Sequence, residues 1–377
     1  MVLCAPAGPR FRPLAAHPRS FLLDRKTVDW CVQALGTGRQ RIKYQGRWGK
    51  LPVGAADESE CQGMNADLYA SIEEARRRID TRLAELMPEA LPGQPELAAA
   101  LRDGVLTPGK RLRPLMTLFA AEDLGGARAQ AIDAGCAVEM IHAASLVLDD
   151  LPCMDNALLR RGVPAVHAGH GEDLALLVSV AAISHAYGIL AGIQPLPAQA
   201  RVDCIAILTH AVGVGGLVAG QFADLRGGRD NRPMAEISAA NGLKTGSLFI
   251  AAAEIGAVVA GADGQTRSQL RRFAEELGLA FQLLDDLLDG TASSAQIGKD
   301  VGKDNGKSTM ISVMGRNSVQ RRLERHLGAA DAGLTEIFGP RSRLHELVGA
   351  ILHQARQAIP QTGASPSFDL SEEVFAR

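Results

Sequence analysis

No C-x-x-C pair occurs in the 377 residues; the six cysteines stand alone at positions 4, 31, 61, 136, 153 and 204. That spacing argues against a zinc framework. With no visible secretory leader it argues against a disulfide framework too, so a reducing, cytoplasmic setting is expected. A charge imbalance is also missing. The formal net charge of −2 gives no reason to expect nucleic acid or an anionic membrane as partner, although local basic clusters could hold a small anion. No stretch offers about 20 uninterrupted apolar residues, so no membrane span is expected. Period-2 alternation bounded by hairpin turns is absent as well, which removes the usual sign of strands. What is present is 46% apolar and 22% charged residues, ample for a globular core.

The first 63 residues differ from the rest. They carry a net charge of +5 against −7 for the remainder, and they hold both tryptophans, Trp30 and Trp48. Scattered prolines and no helical period leave this segment without a helix face to bury. It is expected to be a disordered extension or translated upstream sequence, with Met64 the natural start. A targeting peptide is the alternative, which the acidic residues and the missing amphipathic helix disfavour. From Met64 an amphipathic helix is expected, with Asn65 as N-cap and Leu68, Ile72, Ile79, Leu83 and Leu86 on one side. Beyond it, long apolar stretches (131–148, 174–190, 202–225, 235–259 and 267–288) are separated by short Gly/Pro/Asp joints. Helices this long and apolar pack on several sides, so the expected fold is one all-α domain over 64–377: a large bundle around an internal cavity.

Two acidic clusters interrupt that apolar pattern. Asp149-Asp150-Leu-Pro-Cys-Met-Asp155 and Asp285-Asp286-Leu-Leu-Asp289 each end an apolar stretch. Carboxylates there are costly unless a cation offsets their desolvation. Hard divalent cations such as Mg²⁺ bind one or two carboxylates together with phosphate oxygens. Asp285 and Asp289, four apart, share a helix face. Asp149 and Asp155, six apart, would diverge by about 240° on a straight helix, and Pro152 is expected to break it and let them converge. Basic residues supply the complement. Gly109-Lys110-Arg111-Leu112-Arg113-Pro114 reads as a basic loop entering a helix, and Arg160-Arg161-Gly162 follows the first acidic cluster. Guanidinium forks suit phosphate oxygens. The glycine- and lysine-rich stretch 298–309 is not a P-loop, because Gly302-x-x-x-Gly306-Lys307 is one residue short of that spacing and follows no buried strand. Lys244-Thr245 and Gln282 are polar residues inside apolar helices. They serve either as internal helix–helix bonds or as dipoles around a developing positive charge.

These stretches resemble the trans-isoprenyl diphosphate synthases, and most closely the bacterial geranylgeranyl diphosphate synthases of carotenoid and photosynthetic pigment pathways. The matching segments, in the family's order, are GKRLRP (109–114), EMIHAASLVLDDLPCMD with LLRRG (139–162), GQFADL (220–225), LKTGSLF (243–249), FQLLDDLLD (281–289) and GKDVGKDNGKST (298–309). The resemblance implies an all-α fold around a deep cavity, three Mg²⁺ per site, and a homodimer. It implies Asp149, Asp155, Asp285 and Asp289 as main metal ligands, with Asp150 and Asp286 beside them. Arg160, Lys244 and Lys299 would grip an allylic diphosphate. Lys110, Arg113, His142 and Arg161 would hold isopentenyl diphosphate, Gln221 would join the substrate-binding set, and Thr245 and Gln282 would line the cation. Two positions depart from the pattern. Asn156 stands where many relatives continue a run of acids, which is expected to weaken metal binding, and Asn241 stands where a His is frequent.

The side chains four and five residues before the first motif form the floor of the product tunnel in that family. Here they are Ser145 and Ala144, both small. Five residues span about 7.5 Å of helix, so an aromatic there would stop the chain early. Geranylgeranyl diphosphate is the expected product, with farnesyl diphosphate next. A class I terpene cyclase would replace the second D-D-x-x-D and needs no isopentenyl site. A non-catalytic partner subunit would lack one acidic motif. This chain keeps both motifs and GKRLRP.

Overall fold

Ser247–Val259 is built from small and apolar residues with Glu254 its only charge, so a helix there has no face to offer water and belongs at a bundle's centre. The computed structural model, which describes residues 58–89, 92–227, 233–289 and 310–358 (side chains of 58–68, 289, 312 and 353–358 excepted), puts it there. The elements are α1 (Glu58–Glu85), α2 (Pro95–Val105), α3 (Leu112–Asp123), α4 (Arg128–Asp149), β1 (Leu159–Arg160), β2 (Val163–Pro164), α5 (Val166–His170), α6 (Glu172–Gly192), α7 (Ala198–Val212), α8 (Leu217–Arg226), α9 (Met234–Asn241), a π-helical turn (Gly242–Gly246), α10 (Ser247–Val259), α11 (Gly264–Asp289), α12 (Met310–Met314), α13 (Arg316–Phe338) and α14 (Arg343–Ala358). Helix α10 packs against α3, α4, α7 and α11, and α6 and α13 close the flanks on α4 and α11. Its only carboxylate, Glu254, is buried but met by Arg267 (3.3 Å) and Arg271, both on α11.

The all-α expectation holds, and three local expectations, on Asn65, 202–225 and 235–259, are corrected. Helix α1 begins at Glu58, so Asn65 lies within the helix and is no cap. Residues 1–57, and with them most of the expected N-terminal extension, lie outside the described residues. The stretch 202–225 is two helices, because Gly216 folds back so closely that a Cβ would overlap the Ala211 carbonyl. The stretch 235–259 contains the π turn at Gly242–Gly246. Arg160-Arg161-Gly162 is a hairpin, Leu159 pairing with Pro164 and Arg160 with Val163. Positive φ at Arg161 (54°) and Gly162 (80°) makes its two-residue turn.

Helix length and composition do not by themselves support the expected absence of a membrane span. By length and composition, four described helical stretches could cross a bilayer: Arg128–Asp149, Glu172–Gly192, Ala198–Arg226 and Met234–Val259. The demand for an uninterrupted apolar run was too strict, since isolated charges within a long apolar helix leave its mean hydropathy high. In the first and last, 67% and 72% of the apolar window is buried inside the bundle; in the middle two, 39% and 22%. The bundle accounts for the first pair. The second pair leaves Leu176, Leu177, Val180, Val202, Val218 and Phe222 exposed.

Candidate active site

Helix α4 is apolar until its last turn and then delivers two carboxylates. Pro152 stops it, and the backbone folds back: Asp155 N–H donates to the Asp149 carbonyl (2.9 Å), Asn156 N–H to Leu151 (3.0 Å) and Ala157 N–H to Asp150 (3.0 Å). Asn156, at φ 49°, turns the corner. The loop thus returns Asp155 to Asp149, as the proline suggested. Burial, and then the like charge of Asp155, push the Asp149 carboxyl above the usual carboxylate range, while Lys244 pulls it down. Gln221 Nε2 donates to Asp149 Oδ1 (2.5 Å), and Lys244 Nζ lies 3.5 Å from the same oxygen and 2.8 Å from Asp224 Oδ2. Gln221 and Asp224, three apart on α8, share a face. The carboxylate of Asp150 is buried and occupied by the Arg160 guanidinium.

The second cluster ends α11. Asp285 and Asp286 are half-buried. Gln282 Nε2 donates to Asp286 Oδ1 (3.1 Å), and the Met310 N–H opening α12 donates to Asp286 Oδ2 (3.3 Å). Thr245 Oγ1 donates to Gln282 Oε1 (3.0 Å), so the Lys244-Thr245 pair reaches both acidic clusters: Lys244 toward α4, Thr245 toward α11. The π turn makes this possible by changing the register of side chains between α9 and α10. It fits only because α8 has Gly220 beneath it, where a Cβ would strike the Lys244 backbone. Asp289 is the last residue of α11 and its side chain lies outside the described residues, as do Lys299 and the whole 298–309 stretch.

The basic loop supplies a different kind of pocket. Lys110 is exposed; Arg113, two residues into α3, is buried. Its Nε has no hydrogen-bond partner, and its guanidinium lies 4.7 Å from the centroid of Phe249. Burial pushes it down to about 10, against the pull of Glu139 and Asp285. An unmet buried donor costs about 1–3 kcal/mol. Burial and then Arg113 hold His142 well below the usual imidazole range, so it is neutral at neutral pH. Arg161, pushed down by burial, spends one Nη1 on the carbonyls of Pro108 (2.9 Å) and Thr107 (3.4 Å). A cavity bounded by Arg111, Glu139, His142, Asp150, Arg160 and Arg161 lies between the loop, α4 and the hairpin.

The polyprenyl synthetase family matches residues 94–337. The chain belongs to that family. Among its relatives, the geranylgeranyl diphosphate synthase of Pantoea ananas is 44% identical over 260 residues, covering 68% of this chain and 84% of the relative. That of Pseudescherichia vulneris is 45% identical over 269 residues, covering 71% and 86%. Among solved structures, an FPP/GFPP synthase from Zymomonas mobilis superposes with a TM-score of 0.68 at 31% identity, covering 77% of this chain and 99% of that one. A geranyltransferase from Helicobacter pylori, complexed with magnesium and isoprenyl diphosphate, gives 0.69 at 26% identity, covering 76% and 97%. This polyprenyl synthetase is a trans-prenyltransferase.

Within the family framework, the expected chain-length positions sit one turn before the acids. Ala144 is buried and its carbonyl accepts the Ser179 hydroxyl of α6 (3.5 Å); Ser145 is half-buried and its hydroxyl donates to the His142 carbonyl (2.8 Å). Neither fills space beyond its Cβ substituents. Sequence reasoning missed Asp224 as the partner of Lys244. The spacing of Gln221 and Asp224 in GQFADL could have revealed it. It also missed the pairing of Arg160 with Asp150, for which the ten-residue separation across a loop and hairpin leaves no periodic trace.

Proposed function

We propose that this prenyltransferase condenses isopentenyl diphosphate with dimethylallyl, geranyl and farnesyl diphosphates in a Mg²⁺-dependent reaction, making geranylgeranyl diphosphate and releasing diphosphate at each step. The observation that carries the reading is the pairing of two unlike anion sites. One is carboxylate-rich with Lys244; the other offers the cations Lys110 and Arg113 beside neutral His142. An allylic diphosphate with metals suits the first, and a metal-free diphosphate the second.

The donor set fits Mg²⁺. Asp149 and Asp155 offer hard oxygens close enough to repel each other, and a cation relieves that repulsion. Asp149, Asp155, Asp285 and Asp289 would hold the metals, three per site. Bound there, Mg²⁺ supplies charge neutralisation for the leaving diphosphate.

The chain's own residues do the rest. Lys244 and Arg160 hold the allylic diphosphate; Lys110, Arg113, His142 and Arg161 hold and orient isopentenyl diphosphate. The allylic C–O bond breaks with its electron pair leaving on diphosphate, the isopentenyl double bond attacks the cation, and a proton is lost to the released diphosphate. The oxygens of Thr245 and Gln282, fixed by their mutual hydrogen bond, present dipoles to that cation without reorganising.

A homodimer joined through α6 and α7 is part of the proposal, supported by exposed Leu176, Leu177, Val180 and Val202. A reducing cytosolic setting is also part of the proposal, resting on the isolated spacing of the six cysteines. The test is incubation with isopentenyl diphosphate, Mg²⁺ and each allylic primer, sizing products by chromatography. A dominant C20 diphosphate is expected. A C15 stop would move the floor elsewhere in the tunnel, and allylic ionisation without elongation would favour a cyclase.

A further inference from the structure

One arginine of the basic loop takes no part in the proposed substrate contacts, yet it is the most heavily built of the set. The Arg111 side chain is 3% exposed. Its Nε donates to Asp80 Oδ1 on α1 (2.7 Å) and its Nη1 to Glu139 Oε1 on α4 (2.7 Å), and Glu139 is also 3% exposed. Its backbone is left-handed, φ 50°, at the N-cap of α3. Burying both charges costs several kcal/mol per ion, recovered only by good geometry, and a left-handed non-glycine adds about 1 kcal/mol or more.

The surroundings explain the cost. Among the described residues, the non-glycine residues with positive φ are Arg111, Asn156 and Arg161, and all three lie at this site. Arg161 holds the loop from the hairpin side through the Thr107 and Pro108 carbonyls, resting on Gly109, where a Cβ would collide with its guanidinium. Arg111 holds the same loop from within. It is anchored to α4 one turn before His142, since Glu139 and His142 are three apart. Lys110 and Arg113 flank it on either side.

We propose that Arg111, fixed between Asp80 and Glu139, is a positioning residue that holds Lys110 and Arg113 at a set separation for the homoallylic diphosphate. This rests on the condensation reading above. Arg111 acts through the backbone: loosening it leaves both ligand cations present but no longer registered with His142.

Two-substrate kinetics on the full chain test it, with farnesyl diphosphate as primer. Arg111→Met and Glu139→Gln are expected to raise the KM for isopentenyl diphosphate at least about tenfold, while kcat and the KM for farnesyl diphosphate stay within about threefold. Arg111→Lys, which keeps the charge but loses the fork, is expected to fall between. Parallel changes in kcat and both KM values, or a lower Tm with unchanged KM, would overturn the positioning role. Should Arg111→Met not fold, the double variant Arg111→Met/Glu139→Gln removes charge and countercharge together. A raised isopentenyl KM is expected there too, and a wild-type value would overturn the role. The wild-type protein is run alongside: if it fails to condense, the proposed reaction itself is lost, whereas condensation without the KM split sinks only the role of Arg111.

Discussion

Arg160 Nε lies 3.0 and 3.1 Å from the two carboxylate oxygens of Asp150, a buried fork joining the first acidic motif to the hairpin that follows it. Asp150 therefore spends its charge on placing a cation. Asp150→Asn is expected to leave the Mg²⁺ concentration for half-maximal activity within about threefold while raising the allylic KM about tenfold or more. Unpairing a buried charge also costs roughly 3–5 kcal/mol, so a lower Tm should accompany it. Asp155→Asn should do the opposite and raise the Mg²⁺ requirement. If both variants shift the metal requirement alike, Asp150 is a ligand after all.

His142 gives a pH dependence whose sign follows from its surroundings. Burial and Arg113 lower its folded pKa well below 6.5. Below that value the unfolded chain takes up a proton the folded protein refuses, so stability falls as pH drops from about 6.5 toward the folded pKa. His142→Gln removes that proton. Its Tm should fall less than that of the wild type between about pH 7.5 and about pH 5, measured without ligand. Parallel curves would show that His142 titrates normally.

Much of this was legible from composition and spacing. The long apolar stretches became α4, α6, α10 and α11, and Pro152 correctly implied that Asp149 and Asp155 could meet despite a six-residue separation. What stayed hidden has local causes. Gly216 breaks an apolar run because of close backbone approach to Ala211, which hydropathy does not register. The π turn shifts the register at Lys244, so a 3.6-residue reading of 235–259 could not place Lys244 over Asp224 or Thr245 beside Gln282. The Arg111 network joins residues 80, 111 and 139, and long-range pairing of that kind has no sequence period.

The apolar surface of α6 predicts a second copy of the chain. Leu176 and Val180 are four apart and 50% and 65% exposed, a stripe that no described element covers. Leu176→Lys/Val180→Lys is expected to convert a sedimenting dimer into monomer without lowering helical content, because neither side chain is buried within the fold. Unchanged sedimentation mass would remove these helices from the interface.

The tunnel floor offers the sharpest reading of product length. Ala144 retains 1% of its exposure and sits on α4 five residues before Asp149, with Ser179 of α6 across from its carbonyl. Ala144→Phe places a ring about 7.5 Å below the acids and is expected to shift the main product from C20 to C15 or shorter. Overpacking there should cost about 1–3 kcal/mol, so a modest fall in Tm is part of the expectation. Ser145→Phe starts from a half-buried position whose hydroxyl bonds only to the His142 carbonyl, and it should shorten the product at less cost in stability. If both variants fold and still release mainly C20, the growing chain does not run past this turn of α4, and the length limit lies elsewhere along the tunnel.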